Sequence, residues 1–113
     1  MKEILNQINE ISGVKGSLVV DNEGLVVVSN LMSGMEERTI SAMVAGIYQE
    51  IIKALRPEQG AELSGVQLSA SEGSIIFLCA PECILTVITE PGANIGLVSI
   101  KMKASLEKLM KIL

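Results

Sequence analysis

The chain has 113 residues, of which 49% are hydrophobic, and it contains one Tyr, one Phe and neither Trp nor His. A chain of this length buries one modest core, which must here be aliphatic, so we expect residues 1–113 to form a single domain. The net charge of −4 disfavours nucleic-acid binding, which requires a basic face. The absence of histidine excludes Ser–His and Cys–His dyads and most zinc and iron sites.

The N-terminal segment is predicted to be an amphipathic helix over residues 2–12, because isoleucine and leucine recur there at helical spacing before Gly13. It has no continuous apolar run, so it does not resemble a signal peptide, and no later segment reaches the roughly 18 apolar residues of a membrane span. We therefore expect a cytoplasmic protein without direct membrane insertion.

A β-hairpin follows. Residues 17–21 and 25–30 are rich in valine and flank the turn DNEG, in which Gly24 can adopt a positive φ and Asp21 is a turn residue.

The longest helical pattern covers residues 35–56, and Pro57 prevents its continuation. Its apolar residues recur with a period of 3.6 and predict one buried stripe. That stripe consists of Ile40, Met43, Val44, Ile47, Ile51 and Leu55.

The second half predicts three strands and a helix. Residues 64–71 alternate apolar and polar side chains, which is typical of a strand with one buried face. SIIFLCA and CILTVIT are apolar and predict two strands in the centre of the sheet. The last helix covers residues 96–112, and its predicted stripe is Val98, Met102, Leu106, Leu109 and Leu113.

The predicted order is α-β-β-α-β-β-β-α. Five strands with helices between them favour an α+β fold, in which helices cover both faces of a largely antiparallel sheet.

Candidate reactive groups are few. Cys79 and Cys83 flank a tight turn where a disulfide is sterically conceivable, although two reduced, buried thiols are the favoured interpretation in a cytoplasmic protein. Arg38 and Arg56 could each approach a nucleotide phosphate, but surface positions are favoured. The sequence predicts no catalytic residue, no metal site and no cofactor.

The last helix also carries a group of cations. We interpret it as a solvated face near a helix C-terminus, with an acidic partner or an anionic membrane surface as the alternative. The group consists of Lys101, Lys103, Lys108 and Lys111.

The long helix has an unusual polar side with few charges and a mid-helix Gly46, which costs about 1 kcal/mol relative to Ala. Such a face allows the backbone of a second helix to approach closely. Alternatively, Ala is present only because it is a good helix former, and Gly46 is tolerated. Together with a strand at 64–71 that could pair with its own copy, this face favours a symmetric homodimer. The face comprises Arg38, Ala42, Ala45, Gly46, Gln49, Lys53 and Arg56.

The chain resembles the Roadblock family (dynein light chain roadblock type) over roughly residues 3–112. The similarity is carried by GVKGSLVVDNEGLVVVSN, by the long helix rich in small residues, by GAELSGVQLSASEGSIIFL and by ANIGLVSIKM. Ser99 departs from the basic residue that many family members place near that position.

The resemblance implies a profilin-like or longin-like three-layer sandwich with one long helix on one face of a five-stranded antiparallel sheet and two helices on the other. It also implies a homodimer joined through the third strand and the long helix, whose paired long helices bind a small Ras-like GTPase. Carried over, that interface comprises Arg38, Ala42, Ala45, Gly46, Gln49, Lys53, Val66, Gln67, Leu68 and Ser69.

The leading hypothesis is therefore a non-enzymatic, homodimeric GTPase regulator or scaffold. Two alternatives are a domain that senses a small ligand, which would need convergent polar groups in an apolar pocket, and a purely structural adaptor subunit.

Overall fold

The computed structural model describes residues 1–55 and 63–113. Its elements follow the predicted order α-β-β-α-β-β-β-α, while the predictions for Arg56 and Pro57 lie outside the described residues. The elements are α1 (Lys2–Asn9), β1 (Val14–Val20), β2 (Val26–Leu31), α2 (Glu37–Leu55), β3 (Gly65–Ala70), β4 (Gly73–Cys79), β5 (Ile84–Thr89) and α3 (Ile95–Ile112).

The five strands form one sheet in the order β2-β1-β5-β4-β3, and every neighbouring pair is antiparallel. The predicted five-stranded antiparallel sheet is confirmed. Strands β4 and β5 are interior, as their apolar sequences predict. The polar-alternating strand β3 lies at one edge of the sheet, and β2 lies at the other.

Helices cover both faces of the sheet and create two aliphatic cores, which confirms the predicted three-layer sandwich. Because successive strand residues point to opposite faces, each strand contributes to both cores. On one face, α1 and α3 pack on Val19, Leu85 and Val87. On the other face, Val44 of α2 packs in a cluster with Leu18, Val20, Phe77 and Ile84.

The β1–β2 turn forms as predicted. The Oδ1 atom of Asp21 accepts hydrogen bonds from the backbone N–H groups of Glu23 and Leu25, each at 2.9 Å. Gly24 has a φ of 91°, in the left-handed region where glycine carries no steric penalty. Asp21 and Gly24 are therefore confirmed as turn residues.

The boundaries of α1, β1 and α3 differ from prediction for local reasons. Helix α1 ends at Asn9 rather than residue 12, and Gly13 turns the chain at a φ of 92° so that β1 begins at Val14. Helix α3 begins at Ile95 because the Asn94 Oδ1 atom accepts the Leu97 N–H at 3.0 Å, which is a side-chain N-cap.

The apolar stripe of α2 is rotated relative to its prediction. Val44 is buried and Ile40, Ile47 and Ile51 are half-buried, as predicted, but Met43 and Leu55 are 37% and 43% exposed. Their expected places against the sheet are taken by Ser41, which is buried, and Tyr48, which is half-buried.

The stripe of α3 changes less. Leu113 lies beyond the end of the helix and is exposed, whereas the small side chain of Ser105 is buried.

No helix within residues 1–55 and 63–113 is long and apolar enough to cross a membrane.

Candidate dimer and partner interface

Helix α2 covers only part of its face of the sheet. Near its start, the Ser29 hydroxyl of β2 donates a hydrogen bond to the Glu37 carboxylate. Two turns later, Ala45 lies against Gly24, and the Gln49 side chain donates to the Asn22 carbonyl at 3.3 Å. The helix therefore lies over β2 and the β1–β2 turn and reaches the central strands through Val44, but it stops short of β3.

The part of the sheet beyond α2 is apolar and open. On the α2 face, Val66 pairs with Phe77 and Leu68 pairs with Ile75 across β3 and β4. Phe77 is fully buried, but Leu68 is 43% exposed. Beside it is a depression of about 270 Å³, partly lined by Leu68, Ala70, Ile75 and Ile88. We call this area the open patch.

The open patch corrects the prediction that β3 buries one face. Val66 is half-buried, and Leu68 and Ala70 are exposed. The apolar and polar residues alternate as expected, but alternation predicts only which residues share a face. Whether that face is covered depends on where α2 crosses the sheet, and no helix within the described ranges covers β3 on this side.

The polar side of α2 is exposed to solvent in the protomer. Arg38, Ala42, Gly46 and Lys53 are all exposed. A Cβ atom added at Gly46 would have no neighbour within 4 Å, so no contact among the described residues requires a glycine there. Since glycine costs about 1 kcal/mol relative to Ala in a helix, this position is destabilising without compensation in the isolated protomer.

Two residues of the predicted face are engaged within the protomer. Ala45 is half-buried, and its Cβ atom would lie 3.1 Å from a Cβ added at Gly24. Gln49 is exposed but binds the Asn22 carbonyl. Both stabilise the contact between α2 and the β1–β2 turn, so they are less available to a partner than Gly46.

The predicted residues of β3 divide between the two sheet faces. Val66 and Leu68 lie on the α2 face, whereas Gln67 and Ser69 point to the opposite face. There, the Gln67 amide donates to the Ser69 hydroxyl at 3.3 Å. The sequence grouped these four residues because they are contiguous, but only two of them border the open patch through their side chains.

Gln67 and Ser69 border the edge of the sheet through their backbone. The Ser64 carbonyl accepts the Cys79 N–H at 2.8 Å. In an antiparallel pair the hydrogen-bonded residues alternate, so residues 66, 68 and 70 also bond to β4. The N–H and C=O groups of Gln67 and Ser69 consequently face outward, where another strand can pair with them.

The two cysteines do not face each other. Cys79 packs in the core beneath α2, and Cys83 packs in the core beneath α1 and α3, so the sterically conceivable disulfide is not supported. Burial and, secondarily, the neighbouring Cys83 thiol raise the pKa of Cys79 to about 11. Burial, followed by the Glu82 carboxylate, also raises the pKa of Cys83. Both thiols are therefore protonated and unreactive near neutral pH.

The other candidate reactive groups are the two arginines and a metal site. Arg38 is exposed near the start of α2, and Arg56 lies outside the described residues. Within the part of the chain that the structure describes, no group of three or more Cys, Asp or Glu residues is placed to hold a metal ion.

Sequence reasoning missed three residues of this region. Ile75 and Ile88 line the open patch, and Met43 is exposed on the flank of α2 opposite Ala45. Ile75 and Ile88 belong to strands that were expected to be central and covered. Ile75 pairs with the edge residue Leu68, and this pairing indicates that Ile75 is partly exposed. The pairing can be inferred only when the register of β3 against β4 is known.

Known proteins share this architecture. A roadblock domain structure from Streptomyces avermitilis superposes with a TM-score of 0.89 at 12% identity, covering 99% of this chain and 96% of that one. MglB of Myxococcus xanthus superposes with a TM-score of 0.88 at 17% identity, covering 97% and 91%. At these identities the similarity establishes the fold alone.

Comparison of sequences establishes the family as well as the fold. An uncharacterised protein of Methanocaldococcus jannaschii is 32% identical over 109 residues, which cover 94% of this chain and 90% of that protein. The family model of the Roadblock/LC7 domain matches residues 1–89. The chain therefore belongs to the Roadblock/LC7 domain family.

Proposed function

We propose that the protein is a non-enzymatic, homodimeric regulator or scaffold that binds a small Ras-like GTPase. The observation that carries this proposal is the open patch, which places exposed apolar side chains directly beside an unpaired strand edge. A second copy of the chain satisfies both features at once, because its β3 can pair with the outward groups of Gln67 and Ser69 while its side chains cover Leu68.

Symmetric pairing of the two β3 strands also brings the two α2 helices together. When the two-fold axis is perpendicular to the sheet, both helices lie on the same face of a continuous ten-stranded sheet. A partner helix near Gly46 would use the space that residues 1–55 and 63–113 leave empty. The open patch, Met43 and Gly46 would then form the dimer contact, together with Ala42 and Lys53.

The paired α2 helices would provide the surface for a GTPase. This part of the proposal rests on membership of the Roadblock/LC7 family and on the name of the similar structure MglB, whose similarity to this chain establishes only the fold. Arg38 lies exposed near the start of α2, outside the proposed dimer contact, and can meet acidic groups of a partner. The single-domain organisation of residues 1–113 and the cytoplasmic location remain predictions.

Any effect on GTP hydrolysis would act through the GTPase's own switch loops and catalytic residues. On this proposal Arg38→Ala weakens binding and leaves stimulation of the bound GTPase unchanged. Loss of stimulation with binding intact would instead identify Arg38 as an arginine finger.

The first test is the solution mass by light scattering of the wild type and of Gly46→Glu. A dimeric wild type and a monomeric variant are expected, because a buried, unpaired carboxylate opposes the helix contact. Ala104→Glu is the matched control, since it introduces the same side chain at an exposed position of α3. A monomeric wild type, or a dimer that Gly46→Glu leaves intact, contradicts the proposed interface.

The GTPase is then tested by pull-down with a panel of Ras-like GTPases loaded with GDP or with a non-hydrolysable GTP analogue. Binding that prefers one nucleotide state and requires the dimer supports a regulator. Binding that is equal in both states favours the structural adaptor.

A further inference from the structure

Helix α3 has an exposed face on which apolar side chains lie beside lysines. Its buried residues, Val98, Met102, Ser105 and Leu109, pack toward the sheet. On the opposite side, Leu97 and Ile100 are 49% and 69% exposed. Ala104, Lys108 and Lys111 continue the same side along the helix, because they follow at intervals of three and four residues. We call these five residues the outer stripe.

The charge of α3 is opposite to that of the rest of the chain. The helix carries four of the nine cationic residues and one of the thirteen acidic residues, Glu107. Lys101 donates to the Gln7 side chain at 3.3 Å, and none of the four lysines forms an ion pair with a residue of the described ranges. On the adjacent helix α1, the acidic residue is Glu3, and Glu10 follows directly after the helix. The positive potential is therefore concentrated on α3.

We propose that the outer stripe of α3 docks on an anionic lipid surface. Leu97 and Ile100 would enter the headgroup region while Lys108 and Lys111 contact acidic headgroups, as in amphipathic helices that lie in the plane of a membrane. A groove of about 620 Å³ between α3 and β4 extends this surface. Leu106 and Met110 contribute apolar side chains to the groove, and two lysines and one acidic residue, Lys103, Lys111 and Glu107, also line it.

The residue types on α3 favour a lipid surface over an acidic protein. Protein interfaces concentrate their binding energy in Trp, Tyr and Arg, and α3 contains none of these. Its cations are all lysines, which are compact and strongly hydrated and do not match a carboxylate in a bidentate manner. Four flexible lysines around Leu and Ile side chains fit a diffuse layer of negative charge.

The outer stripe of α3 is separate from the proposed GTPase surface on α2. Because α2 and α3 lie on opposite faces of the sheet, contact with lipid through α3 leaves α2 accessible. In the proposed homodimer the two α3 helices share one face and act together, so each contact is effectively doubled. Only this doubling depends on the dimer, because each protomer carries the complete outer stripe.

The test is flotation with phosphatidylcholine vesicles and with vesicles of equal parts phosphatidylserine and phosphatidylcholine, at low and high salt. The wild type is expected to float only with the phosphatidylserine vesicles and to be released by salt. Lys108→Gln is expected to weaken binding about fivefold or more, since each lysine near an acidic surface contributes about a factor of five. Ile100→Ser is expected to weaken it as well.

Matched controls are available for both variants. Ser33→Glu lowers the net charge by the same amount as Lys108→Gln, at an exposed turn outside α3. Leu25→Ser matches Ile100→Ser, because Leu25 is 64% exposed in the β1–β2 turn. Wild-type binding by both controls supports the proposal. Equal losses in the controls, or no flotation at low salt, would overturn it.

Two further outcomes separate this inference from others. Retention of the wild type on immobilised polyglutamate without vesicle binding would assign the face to an acidic protein and overturn the lipid proposal. A monomeric wild type that still floats, with the same sensitivity to Lys108→Gln, supports the lipid surface while it contradicts the proposed dimer.

Discussion

The two edges of the sheet differ in how their backbone groups are covered. At the β2 edge, Val27 is the extra residue of a bulge, because Val19 and Val20 pair with Val28 and Val26. Helix α1 also reaches this edge. The Lys2 ammonium donates to the outward Ser29 carbonyl at 2.6 Å. The Asn9 amide holds α1 against the same strand by donating to the Asn30 carbonyl, which faces β1, at 2.9 Å.

At the β3 edge, six consecutive residue pairs join β3 to β4 without a bulge. No side chain within residues 1–55 and 63–113 forms a hydrogen bond with the backbone of β3. Bulges and covering side chains prevent strands from pairing with other chains. The comparison indicates that β2 is protected against association, and it supports the proposal that β3 is the edge used for it.

The largest expected effect comes from proline at the outward positions of the two edges. Ser69→Pro removes an outward N–H of β3 and should convert a dimer to a monomer, as measured by light scattering. Ser29→Pro is the matched variant on β2. The Met32 N–H bonds to the Lys15 carbonyl, so alternation places Ser29 outward.

Ser29→Pro should retain the mass of the wild type. If Ser69→Pro stays dimeric, or if both variants become monomeric to the same extent, the two edges are equivalent and the proposed role of β3 is wrong.

A smaller effect is expected where α1 covers the β2 edge. Asn9 accepts a hydrogen bond from the Ser17 hydroxyl at 2.8 Å, and Ser17 is fully buried. Asn9→Ala leaves that hydroxyl without its partner and should lower the free energy of unfolding by about 1–3 kcal/mol. The measurement is urea unfolding. The control Asn6→Ala removes only the solvent-exposed hydrogen bond that Asn6 accepts from the Asn30 amide, so it is expected to change stability by about 0.5 kcal/mol or less.

The smallest effect concerns the end of β4, whose Cys79 N–H bonds to Ser64 just before β3. Burial raises the pKa of Cys79 to about 11 from an ordinary value of 9.0. Because the unfolded chain loses this proton first, the contribution of Cys79 to stability should be constant below about pH 9 and fall between about pH 9 and 11. Urea unfolding across that range should show a weaker fall in Cys79→Ala. An identical pH dependence in the two proteins would contradict a buried thiol.

Much of the fold was predictable because it depends on local patterns. The period of 3.6 predicted α2 and α3, valine-rich runs around DNEG predicted the hairpin, and the apolar run in β5 predicted an interior strand. Family membership followed from motifs whose order spans the whole chain. Each of these signals involves residues that are neighbours in sequence.

The candidate site was less predictable. The polar side of α2 was identified from its composition, and Gly46 on that side proved to be exposed. Ala45 was placed on that face although it packs on Gly24, and Met43 was expected to be buried although it is exposed. Periodicity gives the direction of a buried stripe, but its width depends on what the helix packs against.

The sequence by itself determined the elements, their order, the largely aliphatic composition of the buried residues and the absence of histidine chemistry. These follow from the spacing and identity of residues along the chain. Only the tertiary structure decided that α2 stops short of β3, so that Leu68 is exposed and Ile75 is only half-buried. It also decided that Cys79 and Cys83 belong to different cores, and that among the described residues one edge is covered while the other is open. These features depend on contacts between residues far apart in sequence, because the strand register and the helix position are set by the packing of the whole sandwich.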